Sequence, residues 1–243
     1  MMNKTILVTG ASSGIGKKVA IAFAKEGYDV FVTYMHNEAG IKETLDEISK
    51  YNVYCKEICI DHSIFDNNKK VMNIIHASDR TLDVLVNNAG ISIFELANDI
   101  TKESWDNIWN NNVTSVVSMC KYALPDFINK KSGQIINISS VWGNCGASME
   151  TAYSATKGAI NTYTKALAKE LAPSNISVNA LACGLIDTRM NAHLSSDDLD
   201  AVIEEIPAGR IGTTDDVAAA AIALTKTTPY LTGQIINVDG GWI

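Results

Sequence analysis

Tyr153 and Lys157 stand four residues apart in Tyr153-Ser154-Ala155-Thr156-Lys157. On a helix that spacing places both side chains on one face. The pair suits proton transfer to a carbonyl oxygen. A phenol titrates at roughly 10, too high for efficient acid–base work near neutrality, and a neighbouring ammonium favours the phenolate and draws that value down. Ser140 lies thirteen residues earlier, just past an apolar run. Its hydroxyl can donate to the negative charge that builds on a ketone oxygen when hydride reaches the carbonyl carbon. Asn110-Asn111-Asn112 adds amide groups that could join the same site. Each feature also has a plain reading. A Tyr/Lys pair at this spacing commonly sits on a helix surface, Ser139-Ser140 commonly marks a turn, and a run of Asn commonly faces water.

Hydride chemistry needs a nucleotide site, and the chain offers one near its start. Thr9-Gly10-Ala11-Ser12-Ser13-Gly14-Ile15-Gly16 falls between the apolar run Thr5-Ile6-Leu7-Val8 and a helical stretch reaching about Glu26. Glycines there permit a tight turn and close approach of a pyrophosphate to the backbone, and the helix N-terminus presents free N–H groups with a positive dipole end. Glycines also mark ordinary turns. The placement directly after the first strand is what favours a dinucleotide.

The elements that must position these residues follow one rhythm. Strands are expected at 5–8, 30–32, 53–60, 84–86, 134–138, 176–181 and 235–238. Helices are expected to about 26 and at 41–48, 66–78, 101–129 with a possible interruption, 152–171, 197–206 and 215–226. Strand–helix alternation implies parallel pairing with right-handed crossovers, and strands that read as near-continuous apolar runs imply a sheet covered on both faces. The expectation is an α/β chain: a single doubly wound (Rossmann) domain over residues 1–243, with about seven parallel strands and helices on both faces. A polar insertion at 188–212 is expected to cover the substrate as a lid.

Composition narrows the class of partner. The 243 residues carry 27 acidic and 20 basic side chains, a formal net charge of −7. So acidic a chain has no general attraction for nucleic acid or an anionic membrane. The five cysteines, at 55, 59, 120, 145 and 183, include no C-x-x-C pair, and the few histidines are not at metal-ligand spacing. The expectation is free thiols in a reducing cytoplasm with no metal. No apolar run approaches the length of a membrane span, and the N-terminus does not read as a signal peptide.

The glycine spacing is T-G-x-x-x-G-x-G. With Asn87-Asn88-Ala89-Gly90, Asn112-Val113-Thr114, Ser140 and Tyr153-x-x-x-Lys157, it resembles the short-chain dehydrogenase/reductase family over nearly the whole chain. The resemblance implies that Asn112, Ser140, Tyr153 and Lys157 converge. It implies that Lys157 also holds the nicotinamide ribose and that Asn112 positions a water for proton relay. It assigns cofactor contacts to Gly10, Ser12, Ser13, Gly14, Ile15, Gly16, Tyr34, His36, Asn37, Asp61, Asn88, Ala89, Gly90, Tyr153, Lys157, Gly184, Ile186 and Thr188, with Asn87 in the same central-strand motif. A homotetramer built through the helices of 101–129 and 152–171, with a second contact at the C-terminal helix and strand, is implied too. The chain departs from the family at Ala182-Cys183-Gly184, where Ala-Pro-Gly is usual. Losing proline's fixed φ predicts a looser loop there, with Cys183 either a reactive thiol beside the cofactor or an inert one.

Cofactor and substrate preference rest on single positions. A carboxylate ending the second strand would hold the ribose hydroxyls of NAD and repel a 2′-phosphate. Thr33-Tyr34-Met35-His36-Asn37 has none, which favours NADP(H) over NAD(H), although the basic residues of many NADP-dependent relatives are missing too. Pro207-Ala208-Gly209-Arg210-Ile211-Gly212 and the stretch 231–241 resemble 3-oxoacyl-acyl carrier protein reductases of fatty acid biosynthesis. Ser139-Ser140-Val141-Trp142-Gly143, Gly146-Ala147-Ser148 and Glu150 resemble elongation factor P 5-aminopentanone reductases. The substrate is expected to be a small or carrier-bound ketone. Trp142 is a candidate wall of its cleft, and Glu150 is a candidate partner for a cationic amine or else a helix cap. A non-catalytic nucleotide-binding regulator on the same fold is the alternative of another class.

Overall fold

Successive side chains of a strand point to opposite faces, and that alternation sorts the core into two layers. Ile6 and Val8 lie on one face of the first strand and Leu7 on the other, all three fully buried. The computed structural model describes residues 3–192 and 194–243. Its strands are β1 (Thr5–Val8), β2 (Asp29–Tyr34), β3 (Cys55–Cys59), β4 (Val84–Asn87), β5 (Gly133–Ser140), β6 (Ile176–Cys183) and β7 (Ile235–Val238). They form one seven-stranded sheet in the order β3-β2-β1-β4-β5-β6-β7, every neighbour parallel. The α/β doubly wound expectation holds, with helices on both faces.

The helices in chain order are α1 (Gly14–Lys25), α2 (Glu38–Ile48), α3 (Asn68–His76), α4 (Lys102–Trp109), α5 (Ser115–Lys130), α6 (Trp142–Cys145), α7 (Thr151–Leu171), α8 (Ser196–Glu205) and α9 (Thr214–Thr225). One layer packs Ile6, Val8, Val30, Val32, Val84 and Val86 against Phe23 of α1, Ile41 and Ile48 of α2 and Val217 of α9. The other packs Leu7, Phe31, Leu85 and Ile135 against Ile75 of α3, Phe127 of α5 and Leu167 of α7. Full burial of each such side chain stabilises the fold by about 1.5–3 kcal/mol.

Three details of the elements bear on the site. The interruption allowed for within 101–129 is present: α4 ends at Trp109, a π-helical turn spans Asn110–Thr114, and α5 follows. β5 runs two residues further than expected, so Ser140 ends the strand itself, opposite Cys183. β6 continues through Cys183, which is buried, and the Gly184 N–H donates to the Val238 carbonyl at 3.0 Å. The expected loosening at Cys183 therefore does not occur. Without proline the strand keeps its backbone donors and stays in the ladder as far as that position.

The order of strands reverses between β1 and β4. Such a switch point opens a crevice at the carboxyl ends of the strands, and the remaining features gather there.

Candidate active site

The crevice floor is tied together by Thr9, which opens the glycine motif but was given no role from the sequence. Buried at the end of β1, its hydroxyl accepts from the backbone N–H of Asn88 at 2.9 Å and of Ala89 at 3.0 Å. The Asn88 side chain returns two donations, to the carbonyls of Thr9 and Gly10. The turn after β1 is thus clamped to the turn after β4. Gly16 sits inside the clamp, where a Cβ would meet the Asn88 amide nitrogen at 2.4 Å and the Gly10 carbonyl oxygen at 2.5 Å. Gly10 has φ +67°, and a Cβ there would press on the Ala89 backbone at 2.9 Å. Ser13 caps α1 in extended geometry and makes no side-chain cap hydrogen bond. The first N–H groups of α1 therefore have no side-chain acceptor, and with the close-packed glycines they fit the pyrophosphate of a dinucleotide.

A buried polar chain backs this turn. The Gly10 N–H donates to the Thr33 hydroxyl at 3.2 Å, which shares a 2.6 Å hydrogen bond with His62 Nε2, and His62 Nδ1 bonds the side chain of Asn68. Burial lowers the His62 pKa, which suits a neutral ring that donates from Nδ1 and accepts at Nε2.

Across the crevice, Ser140, Tyr153 and Lys157 meet. Ser140 ends β5 and all three are nearly buried. Tyr153 and Lys157 lie on the first turns of α7, with Lys157 Nζ 5.5 Å from the centre of the Tyr153 ring. Lys157 Nζ donates to the Ile138 carbonyl at 3.0 Å. Burial raises the Tyr153 pKa well above the ordinary phenol range, with the Glu150 charge adding to it and a hydrogen bond with Ser140 opposing it. Burial also draws Lys157 down to about 8. The sequence reading had Lys157 lowering the phenol. In the folded chain desolvation dominates both groups, because each loses water in a site with few compensating charges.

Asn112 takes a different place from its partners. It is buried in the π-helical turn, where the extra residue swings it towards the turn after β4. Its Oδ1 accepts from the Ile91 N–H at 2.8 Å, and its Nδ2 donates to the Ile91 carbonyl at 2.8 Å and to the Thr156 hydroxyl at 3.1 Å. Thr156 in turn donates to the Tyr153 carbonyl at 2.7 Å. Asn112 therefore joins the segment after Gly90 to the helix that carries Tyr153.

One cleft, with a volume of about 220 Å³, draws its walls from Ile15, Asn88 and Gly90 and from Ser140, Tyr153 and Lys157. Gly184, Ile186 and Thr188 form another wall. Thr188 also approaches Gly14, where a Cβ would come within 3.4 Å of its methyl carbon. Trp142 and Glu150 line the same cleft, as do Met190, Asn191, Leu194 and Val202 from the segment 188–212. That segment is closed at its root, where Gly212 bonds Leu185 and Asp187 through the backbone. Its polar tip is a helix start, with Ser195 and Asp198 capping α8 reciprocally. Glu150 precedes α7 but makes no cap hydrogen bond. Its carboxylate instead accepts from the Ser92 hydroxyl at 2.8 Å.

The remaining expected cofactor residues lie outside the walls of this cleft, around the ends of β1, β2 and β3. Asn37 caps α2 by accepting from the Gly40 N–H and donates to the Ser12 carbonyl. Asp61 accepts from the backbone and hydroxyl of Ser63. Tyr34 is partly buried and His36 exposed. Ala89 is held by Thr9, as above. Sequence reasoning also missed Ser92 and Trp242, both cleft residues. Nothing local marks Ser92, and Trp242 lies just past the stretch 231–241 that the sequence singled out.

The comparisons agree with this architecture. The family model described as short chain dehydrogenase matches residues 4–199. An uncharacterized oxidoreductase of Bacillus subtilis, YmfI, is 38% identical over 243 residues, covering 99% of each chain. The 3-oxoacyl-[acyl-carrier-protein] reductase FabG of Chlamydia trachomatis is 38% identical over 244 residues, covering 99% of this chain and 98% of the relative. Among solved structures, a Beutenbergia cavernae protein described as an NAD(P)-dependent gluconate 5-dehydrogenase, with NADP bound at low occupancy, superposes with a TM-score of 0.92. It is 32% identical and covers 100% of this chain and 97% of its own. The 3-oxoacyl-[acyl-carrier protein] reductase of Brucella melitensis superposes with a TM-score of 0.91 at 31% identity, covering 100% and 92%.

Proposed function

This chain belongs to the short-chain dehydrogenase family, and we propose that it reduces a ketone to a secondary alcohol using NADPH. The observation that carries the reading is the meeting of Ser140, Tyr153 and Lys157 in the one cleft that also reaches the glycine turn. NADPH, when bound, supplies hydride to the carbonyl carbon. Ser140 and Tyr153 hold the carbonyl oxygen, and Tyr153 passes its hydroxyl proton to that oxygen as the charge develops. The raised Tyr153 pKa suits this direction, since the phenol stays protonated near neutrality and ready to donate. Lys157, as a cation, stabilises the phenolate left behind. The segment 188–212 acts as a lid that excludes water from the reacting atoms. The preference for NADPH is supported by the end of β2, which lacks a carboxylate, and by the solved relative with bound NADP.

Two substrates fit this chemistry. The FabG relatives support a 3-oxoacyl group on an acyl carrier. The Glu150 carboxylate in the cleft wall favours instead a ketone that carries a cationic amine, the 5-aminopentanone of modified elongation factor P. Of the described residues lining the cleft, Glu150 is the one acidic side chain and Lys157 the one basic side chain. Among the described lining residues, an anionic substrate would find no second cation.

The test follows reduced nicotinamide by absorbance, offering NADPH and NADH separately with a 3-oxoacyl thioester and with an aminoketone. Turnover with the aminoketone alone selects the second substrate. Tyr153→Phe is expected to abolish turnover while NADPH still binds. Unchanged turnover in that variant refutes the mechanism, and tight NADPH binding with no turnover of any ketone by the unaltered protein favours a nucleotide-binding regulator.

A further inference from the structure

We propose that Trp142, Trp242 and Glu150 form a subsite for the substrate's ammonium group, and that Trp242 sets the preference for a cationic ketone over an uncharged one of the same shape. The proposal rests on the reading of the cleft as a ketone site and names what the cleft recognises beyond the carbonyl.

Two distant pieces of chain deliver the indoles. Trp142 follows Ser140 by two residues, and its backbone N–H donates to the Ser140 hydroxyl at 3.2 Å. Its side chain packs on the cluster formed by Ile108, Ala152 and Tyr153. The indole is thereby fixed beside Ser140 and Tyr153. Trp242 arrives from the end of the chain and meets Trp142 edge to face, ring centres 5.0 Å apart and planes at 64°. Both rings line the cleft, and both are only partly buried.

Trp242 is held rather than draped. Its Nε1–H donates to the Glu205 carboxylate at the end of α8 at 3.1 Å. On either side of it, Asp239 accepts from the backbone N–H groups of Gly241 at 3.0 Å and Ile243 at 3.3 Å. The Asn237 side chain donates to the Ile243 carbonyl at 3.1 Å. The tail therefore presents the ring in a fixed pose, so little ordering is left for the substrate to impose.

The chemistry of the wall then selects the ligand. An indole face carries the negative end of the ring quadrupole and attracts a cation within about 6 Å of its centre. The nearby carboxylate, steadied by Ser92, supplies the formal charge that a desolvated ammonium needs as a partner. Among the described lining residues the other charged group, Lys157, is engaged with the Ile138 carbonyl and the Tyr153 ring. An indole wall and one carboxylate match an ammonium, whereas a phosphate or carboxylate would be repelled by Glu150.

The experiment uses the full chain saturated with NADP+, so that ketone binds without turnover. Two probes are compared by calorimetry: a 4-oxopentyl trimethylammonium ion, and the same ketone with tert-butyl in place of trimethylammonium. The unaltered protein is expected to favour the cation by roughly 10-fold, within the range of a partly desolvated cation–π contact. In Trp242→Ala the preference is expected to fall to about twofold, and Trp242→Phe is expected to retain most of it. Glu150→Gln is expected to reduce it as well. If Trp242→Ala unfolds, Trp242→Leu, which keeps apolar bulk and removes the π face, carries the test. Equal affinity for the two probes in the unaltered protein overturns the proposal. So does a Trp242 variant, folded and without an aromatic ring, that keeps the full preference. Failure of the reductase reading shows separately, as an absence of NADPH oxidation with either ketone, and the affinity ratio still reads the subsite.

Discussion

Replacing Asn112 by alanine removes three hydrogen bonds at once. The side chain accepts from the Ile91 N–H and donates to the Ile91 carbonyl and the Thr156 hydroxyl. At about 1 kcal/mol net for each bond, and about 1–3 kcal/mol more for leaving the Ile91 N–H without its acceptor, the loss comes to roughly 4–6 kcal/mol. The damage is also local. The same two strands of contact hold the segment carrying Gly90 and Ser92, which line the cleft, against the helix that carries Tyr153. Released, that segment would let go of the Ser92–Glu150 contact and of the wall beside Asn88. The assay is urea unfolding followed by circular dichroism, with NADPH affinity measured by fluorescence on the folded variant. We expect the unfolding midpoint to fall with an unchanged slope, as a loss of stability without a change in the surface exposed requires, and NADPH affinity to fall with it. If Asn112→Ala loses less than about 1 kcal/mol and yet loses turnover completely, the residue acts only on the proton path and the anchoring argument is wrong.

Two further predictions follow from the ionisation of the cleft. Lys157, drawn down to about 8 by burial, keeps its positive charge below that value and loses it above. The rate of ketone reduction is therefore expected to be level near neutrality and to fall as pH rises through about 8. The phenol of Tyr153 stays protonated across that window. A falling limb near about 10, the ordinary lysine or tyrosine range, refutes the assignment. Cys183 has its thiol pushed up to about 12 by burial, so an alkylating reagent at mildly alkaline pH is expected to label the exposed Cys59 and Cys145 first. Mass spectrometry showing early modification of Cys183, with matching loss of activity, refutes that order.

The frame of the fold was legible because buried parallel strands must be apolar along their length. Thr5–Val8, Val30–Val32 and Val84–Val86 announce themselves this way. β3 was harder to bound: at the edge of the sheet, Lys56, Glu57 and Cys59 are exposed and the apolar run dissolves. The break between α4 and α5 left only a trace, three asparagines in a row. Helix periodicity on both sides is intact, and the π-helical turn that aims Asn112 is a matter of one extra residue.

The chemistry divides along a similar line. Residue types four apart on one helix reveal the Tyr153–Lys157 pair, because that proximity is set by local geometry alone. What each group faces is set by the rest of the chain. The pairing argument predicts a lowered phenol, and the fold returns a raised one, because β5, α7 and the end of β6 exclude the water that both groups would otherwise share. Thr9, Ser92 and Trp242 went unread for the same reason. The partners of Thr9 arrive after β4, the partner of Ser92 precedes α7, and Trp242 meets Trp142 from far along the sequence. A carboxylate three residues before Tyr153 reads as an ordinary helix cap in one dimension. It becomes a charge with a direction only when a serine from a separate loop turns it away from the helix and into the cleft. The specificity proposed for this chain therefore rests on contacts between segments that carry no local signature, around a proposed reaction centre whose local signature is plain.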